Sequence, residues 1–104
     1  MKELTNQTWT EAATQPVALV DFFSTTCPPC RLLKTILDPL SQEMKDKIPF
    51  FSFNVEQDSD GLCDQFNIEV VPTLVILKNG VEVARNEGVL PKPKLVAWIE
   101  ENLA

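Results

Sequence analysis

Apolar residues along this chain follow two spacings, and the switches between them mark its elements. "VALVDFFS", residues 17–24, is apolar almost without interruption after Pro16. That is too apolar for a half-exposed strand and predicts a central strand buried on both faces. In "RLLKTILDPLSQEMKDK" the positions Leu32, Leu33, Ile36, Leu37, Leu40 and Met44 recur at helical spacing. Pro39 lies inside that pattern and should kink or interrupt the helix about a turn upstream. "FFSFNV" predicts a second buried strand, and Asp58 to Phe66 a short helix capped by Asp58. In "TLVILKNGVEVARNEG" two β-rich runs flank Asn79–Gly80, the dipeptide favoured in tight hairpin turns. Leu95, Trp98, Ile99 and Leu103 mark a closing amphipathic helix, and Trp9, Ala12 and Ala13 share a face of a short opening one, Thr8 to Thr14.

The predicted order is helix, strand, helix, strand, helix, hairpin, helix. Early alternation argues for parallel strands with helices on both faces, and the hairpin adds antiparallel strands at one side. The expected class is therefore α/β. A length of 104 residues, without repeats or linker-like runs, fits one domain over 1–104 that buries a core unaided by metal or staple. A net charge of −6 with no basic stripe argues against nucleic acid and anionic membrane as partners, since both would repel it. The polar opening "MKELTNQTWTEAATQP" lacks the apolar centre of a secretion signal, and runs such as Leu74 to Leu77 are too short to span a bilayer. The cytoplasm is the expected location, a leader already cut away being the alternative. Thiols are kept reduced there, so cysteines placed close together read as metal-binding or catalytic.

Two of the three cysteines stand three apart in "STTCPPCR", residues 24–31, where a buried strand hands over to a helix. Sites of open α/β sheets gather beyond the carboxyl ends of the strands. Cys27 is expected at the helix cap and Cys30 in the first turn, where partial positive charge stabilises a thiolate. Pro28 suits a first helical position. With Pro29 it leaves the Cys30 N–H as the nearest donor for the Cys27 sulfur, so a mild thiolate is expected. Zinc would need four ligands, and the chain has no histidine and only Cys63 to spare, so an intrachain site fails and a site shared between subunits is the metal alternative. A structural disulfide closing so short a loop would contribute about 2 kcal/mol, against about 4.7 for a 100-residue loop. A redox pair is left, and it calls for no cofactor. Asp21 is the second unusual residue, a carboxylate inside a buried strand, whose pKa desolvation should raise. It could take and return the protons of thiol exchange, or simply reach solvent or cap a backbone N–H. Cys63, in "GLCDQF", reads as a small apolar residue or incidental thiol.

Three blocks, "VALVDFFSTTCPPCR", "VVPTLVILKNG" and "EGVLPKPKLVAWIEENLA", together resemble the thioredoxin family over nearly the whole chain. The resemblance implies a thioredoxin fold, a mixed sheet of about five strands with helices on both faces. It implies a protein-disulfide reductase with Cys27 as exposed nucleophile, Cys30 as buried resolving thiol, Asp21 as proton-handling carboxylate and Pro72 as a cis-proline facing the cysteines. Thr26, Pro28, Pro29, Val71, Thr73, Gly88 and Val89 would line the groove for an extended target segment. Targets would be disulfide-containing proteins, and a thioredoxin reductase would restore the dithiol. Three departures stand out. Thr26 occupies the place of a usual tryptophan. Pro28–Pro29 replaces Gly-Pro, as in tryparedoxin-like and nucleoredoxin-like relatives. Ser52 falls where many members carry a lysine near the buried aspartate, which should leave Asp21 harder to ionise. The helix proline also moves, from near Thr35 to Pro39. Competing readings are a redox-inactive binding module, a specialised electron carrier to a dedicated partner, and an oxidant or isomerase, which neither the prolines nor the N-terminus supports.

Overall fold

In the computed structural model, which describes all 104 residues, five strands form one sheet in the order β1-β3-β2-β4-β5. The strands are β1 (Lys2–Leu4), β2 (Val17–Phe23), β3 (Phe50–Asn54), β4 (Thr73–Lys78) and β5 (Val81–Glu87). The helices are α1 (Thr10–Ala13), α2 (Pro28–Glu43), α3 (Leu62–Gln65) and α4 (Lys92–Leu103), with a 3-10 turn at Val55–Gln57. β1, β3 and β2 run parallel, β4 runs antiparallel to β2, and β5 turns back antiparallel to β4, the mixed sheet that the order of elements called for.

Central position explains why β2 is so apolar. It pairs with β3 on one side and β4 on the other, so each face must be covered by helices rather than water. Alternation then sorts its residues. Leu19 joins Leu33, Leu37, Leu95 and Ile99 in a core with α2 and α4, while Ala18, Val20 and Phe22 join Ala12 and Leu62 in a core with α1 and α3. Asp21 falls on the Leu19 face, beneath α2.

Three expectations change. β1 was not predicted: it has three residues, only Leu4 of which is buried, and it owes its strand character to pairing with β3. The helix expected over Asp58–Phe66 shrinks to α3, whose cap residue is Gly61 at φ 83°. Asp58 still does the capping, from upstream: its carboxylate accepts from the backbone N–H groups of Leu62 (3.2 Å) and Cys63 (2.9 Å). α2 runs without interruption through Pro39, against the alternative of a break. Its buried residues Leu33, Leu37 and Leu40 carry it across the missing N–H.

The predicted hairpin turn is present, with Asn79 at φ 52° and Gly80 at φ 81°. Its tip lies against α1. The Asn79 N–H donates to the Pro16 carbonyl (3.2 Å), and a Cβ on residue 80 would come within 2.9 Å of the Ala13 carbonyl oxygen. No helix is long and apolar enough to cross a membrane.

Candidate active site

β2 ends at Phe23, and Ser24–Thr26 lead into α2. Cys27 is the cap residue of that helix, in extended backbone, with Pro28 and Pro29 in its first two positions. Neither proline has an N–H, so the first free amide is that of Cys30, which donates to Cys27 Sγ at 3.1 Å. Cys27 and Cys30 form a disulfide, their Cα atoms 5.2 Å apart.

Cys27 is less open than an exposed thiol would be. It is 8% exposed against 4% for Cys30, because the chain around cis-Pro72 closes over it: Sγ lies 3.7 Å from the Val71 carbonyl oxygen. The open surface beside the disulfide comes from Thr26, Pro28 and Pro29. Val71 and the Gly88–Val89 loop are part-buried, and the two loops are tied by the Gly88 N–H donating to the Pro72 carbonyl (2.9 Å). Thr73 is fully buried, and its hydroxyl donates to the Val70 carbonyl (2.7 Å).

Asp21 is 2% exposed, and its Oδ1 has no hydrogen-bond partner. Burial, tempered by the Lys34 ammonium and reinforced by Asp38, pushes its carboxyl up to about 7. A cavity of about 220 Å³ joins it to Cys30, with Ser52, Lys34, Arg31 and Glu3 among its walls. The cross-strand partner of Asp21 on β3 is Ser52, so no lysine enters from that strand.

Pattern reading passed over three residues. Lys34 stands one helical turn beyond Cys30, a spacing that puts both on one face of α2. Glu56 accepts from both the backbone N–H (2.6 Å) and the hydroxyl (2.7 Å) of Thr25. Arg31 donates to the Thr25 carbonyl (3.3 Å), so Thr25 is held on every polar group it has. Only the Lys34 spacing was visible in sequence, since Glu56 lies 31 residues from Thr25. Cys63 is half-buried against the α1/α3 core. Burial, and then the adjacent Asp58, push its thiol up to about 12, so it is protonated and inert near neutral pH. No cluster of side chains here could hold a metal ion.

Comparison with known proteins agrees with this geometry. The family model described as Thioredoxin matches residues 1–101. The thioredoxin of Haemophilus influenzae is 35% identical over 85 residues, 82% of this chain and 78% of that protein. The thioredoxin of Bacillus subtilis is 29% identical over 99 residues, 95% and 94% of the two chains. Chloroplastic thioredoxin Y of Oryza sativa is 38% identical over 93 residues, 89% of this chain but 54% of that longer protein, so the chain spans about half of this plant relative. A buried strand, a helix-capping cysteine disulfide and a family match over almost every residue lead to one conclusion: the chain belongs to the thioredoxin family of thiol–disulfide oxidoreductases.

Proposed function

We propose that residues 1–104 act as one unit that reduces protein disulfides, with Cys27 as attacking sulfur, Cys30 as resolving sulfur and Asp21 as proton acceptor. Cys27 thiolate attacks one sulfur of a target disulfide, forming a mixed disulfide and releasing the target's other sulfur as a thiolate. Cys30 gives its proton to the Asp21 carboxylate and attacks Cys27 Sγ. The Cys27–Cys30 disulfide forms, the second target thiolate leaves, and two electrons have passed to the target. The cavity shared by Asp21 and Cys30 is the observation that carries this assignment.

The Cys30 N–H on Cys27 Sγ supports the order of attack, because a donor at that distance stabilises the thiolate of the cap residue. Only one such donor is available, which supports a milder nucleophile. The groove is read as Thr26, Pro28 and Pro29 on one wall and Val71, Pro72, Gly88 and Val89 on the other, with Thr73 contributing backbone alone. Disulfide-containing proteins are its substrates, a thioredoxin reductase its electron donor and the cytoplasm its place of work.

The decisive experiment is a redox titration of Cys27–Cys30 in defined thiol–disulfide buffers, read by mass-shift alkylation. A two-thiol transition near about −270 mV supports a general reductant. A midpoint near about −200 mV would move the reading to a dedicated carrier, and no two-thiol transition would overturn it.

A further inference from the structure

Asp21 is the one buried charged residue of the chain. Its β3 neighbour Ser52 carries no charge, and its β4 partner is Leu74. The charged groups on residues that line its cavity are the Met1 amino terminus, Glu3 of β1, which is exposed, and Arg31 and Lys34 of α2. Arg31 is turned to the Thr25 carbonyl. Lys34 Nζ lies 2.7 Å from Asp38 Oδ2, one turn further along α2. That pair is 61% and 43% exposed, too open to contribute much to stability. Its two charges nevertheless act on Asp21 in opposite senses, the ammonium favouring the carboxylate and Asp38 opposing it.

We propose that the Lys34–Asp38 pair sets the pH at which Asp21 can accept the proton of Cys30, replacing from the helix the cation that β3 does not supply. The inference rests on the reading of Asp21 as proton acceptor. Lys34 is a positioning residue in this scheme. It exchanges no proton in the step and holds positive charge at the cavity mouth, while Asp38 fixes the ammonium and partly cancels it. The two halves of one salt bridge therefore have opposite effects on the same carboxyl group.

That opposition makes the test. Asp21 is titrated by its side-chain carboxyl carbon signal in Lys34→Met, Asp38→Asn and Lys34→Arg proteins, alongside the pH profile of the resolution step. Lys34→Met should move the Asp21 midpoint up by about half a pH unit or more, and Asp38→Asn should move it down. Lys34→Arg should keep it, and the rate profiles should follow the titrations. A salt bridge with only a structural role is broken equally by Lys34→Met and Asp38→Asn, so shifts of the same sign, or none, overturn the proposal. Both positions are exposed on α2, and the readout comes from Asp21 in the folded protein. Asp21→Asn separates the two levels. An unchanged resolution profile in that variant overturns Asp21 as acceptor, whereas a changed profile with unmoved Asp21 titrations overturns the role of Lys34 alone.

Discussion

Asp21 shows how a single residue can oppose the fold that contains it. Its carboxyl binds a proton more tightly folded, at about 7, than at the ordinary value of 3.8. Between those two values the native state holds the extra proton, so stability falls as pH rises through that window and the full penalty remains above it. Three pH units at about 1.4 kcal/mol each make this on the order of 4 kcal/mol. Asp21→Asn should therefore unfold at higher urea concentration than wild type at pH 8, with the difference vanishing near pH 4. Equal midpoints at pH 8 would contradict the burial argument. Trp9 belongs to the opposite core, packed on Phe66, Phe22 and Phe53 with ring centroids 5.4 to 6.1 Å away. With Thr26 in place of a tryptophan beside Cys27, reduction should leave emission nearly unchanged, which a fluorescence scan before and after dithiol treatment checks. Asp21 and the cysteines were legible in sequence because each breaks its local pattern, a charge in an apolar run and a pair in a cysteine-poor chain. The spacing of Lys34 from Cys30 was visible too, but its part in the site was not, because a lysine four residues before an aspartate looks like any solvated helix face.

Among the elements, α2 and the segment before it bear most directly on the site. Pro39 lacks the N–H that would bond the Thr35 carbonyl, and its helix survives through the packing of Leu33, Leu37 and Leu40. Pro39→Ala should stabilise the protein by about 1–2 kcal/mol in urea melts, the restored hydrogen bond and lost ring clash being partly offset by a freer unfolded chain. The redox midpoint should not move. Upstream, Glu56 grips Thr25 through two hydrogen bonds, and they hold its carboxyl below the ordinary value. Glu56→Ala should speed amide exchange at Thr25 without affecting Leu33 in mid-helix, a contrast that exchange-resolved spectra read directly. Long or strongly patterned elements (β2, α2, β4, β5 and α4) could be read from spacing alone. β1 could not, since a three-residue strand with one buried side chain has no period to detect. Nor could the bounds of α3, which Gly61 and the distant reach of Asp58 decide.

The whole molecule is a sheet with a core on either face, and the redox site belongs to one end of only one of them. Leu95 lies fully inside the α2/α4 core, on an element that contributes no atom to the disulfide or its cavity. Leu95→Ala should cost about 2–4 kcal/mol of stability while leaving the Cys27–Cys30 midpoint in place. A shift in both would mean that α4 holds the site. The pairing of β4 between β2 and β5 was legible as a hairpin, but its seat against α1 was not, because contact across the fold leaves no mark in a turn dipeptide. That seat has a practical side. A hairpin tip is the obvious place to graft a foreign peptide or epitope onto a small carrier. Here the exposed tip is anchored on its inner side, since a Cβ at position 80 would meet the Ala13 carbonyl and the Asn79 N–H is bonded to the Pro16 carbonyl. A guest sequence spliced between Asn79 and Gly80 would pry away the first helix and open the core beneath it, leaving this chain a poor display scaffold at the very loop that looks most accommodating.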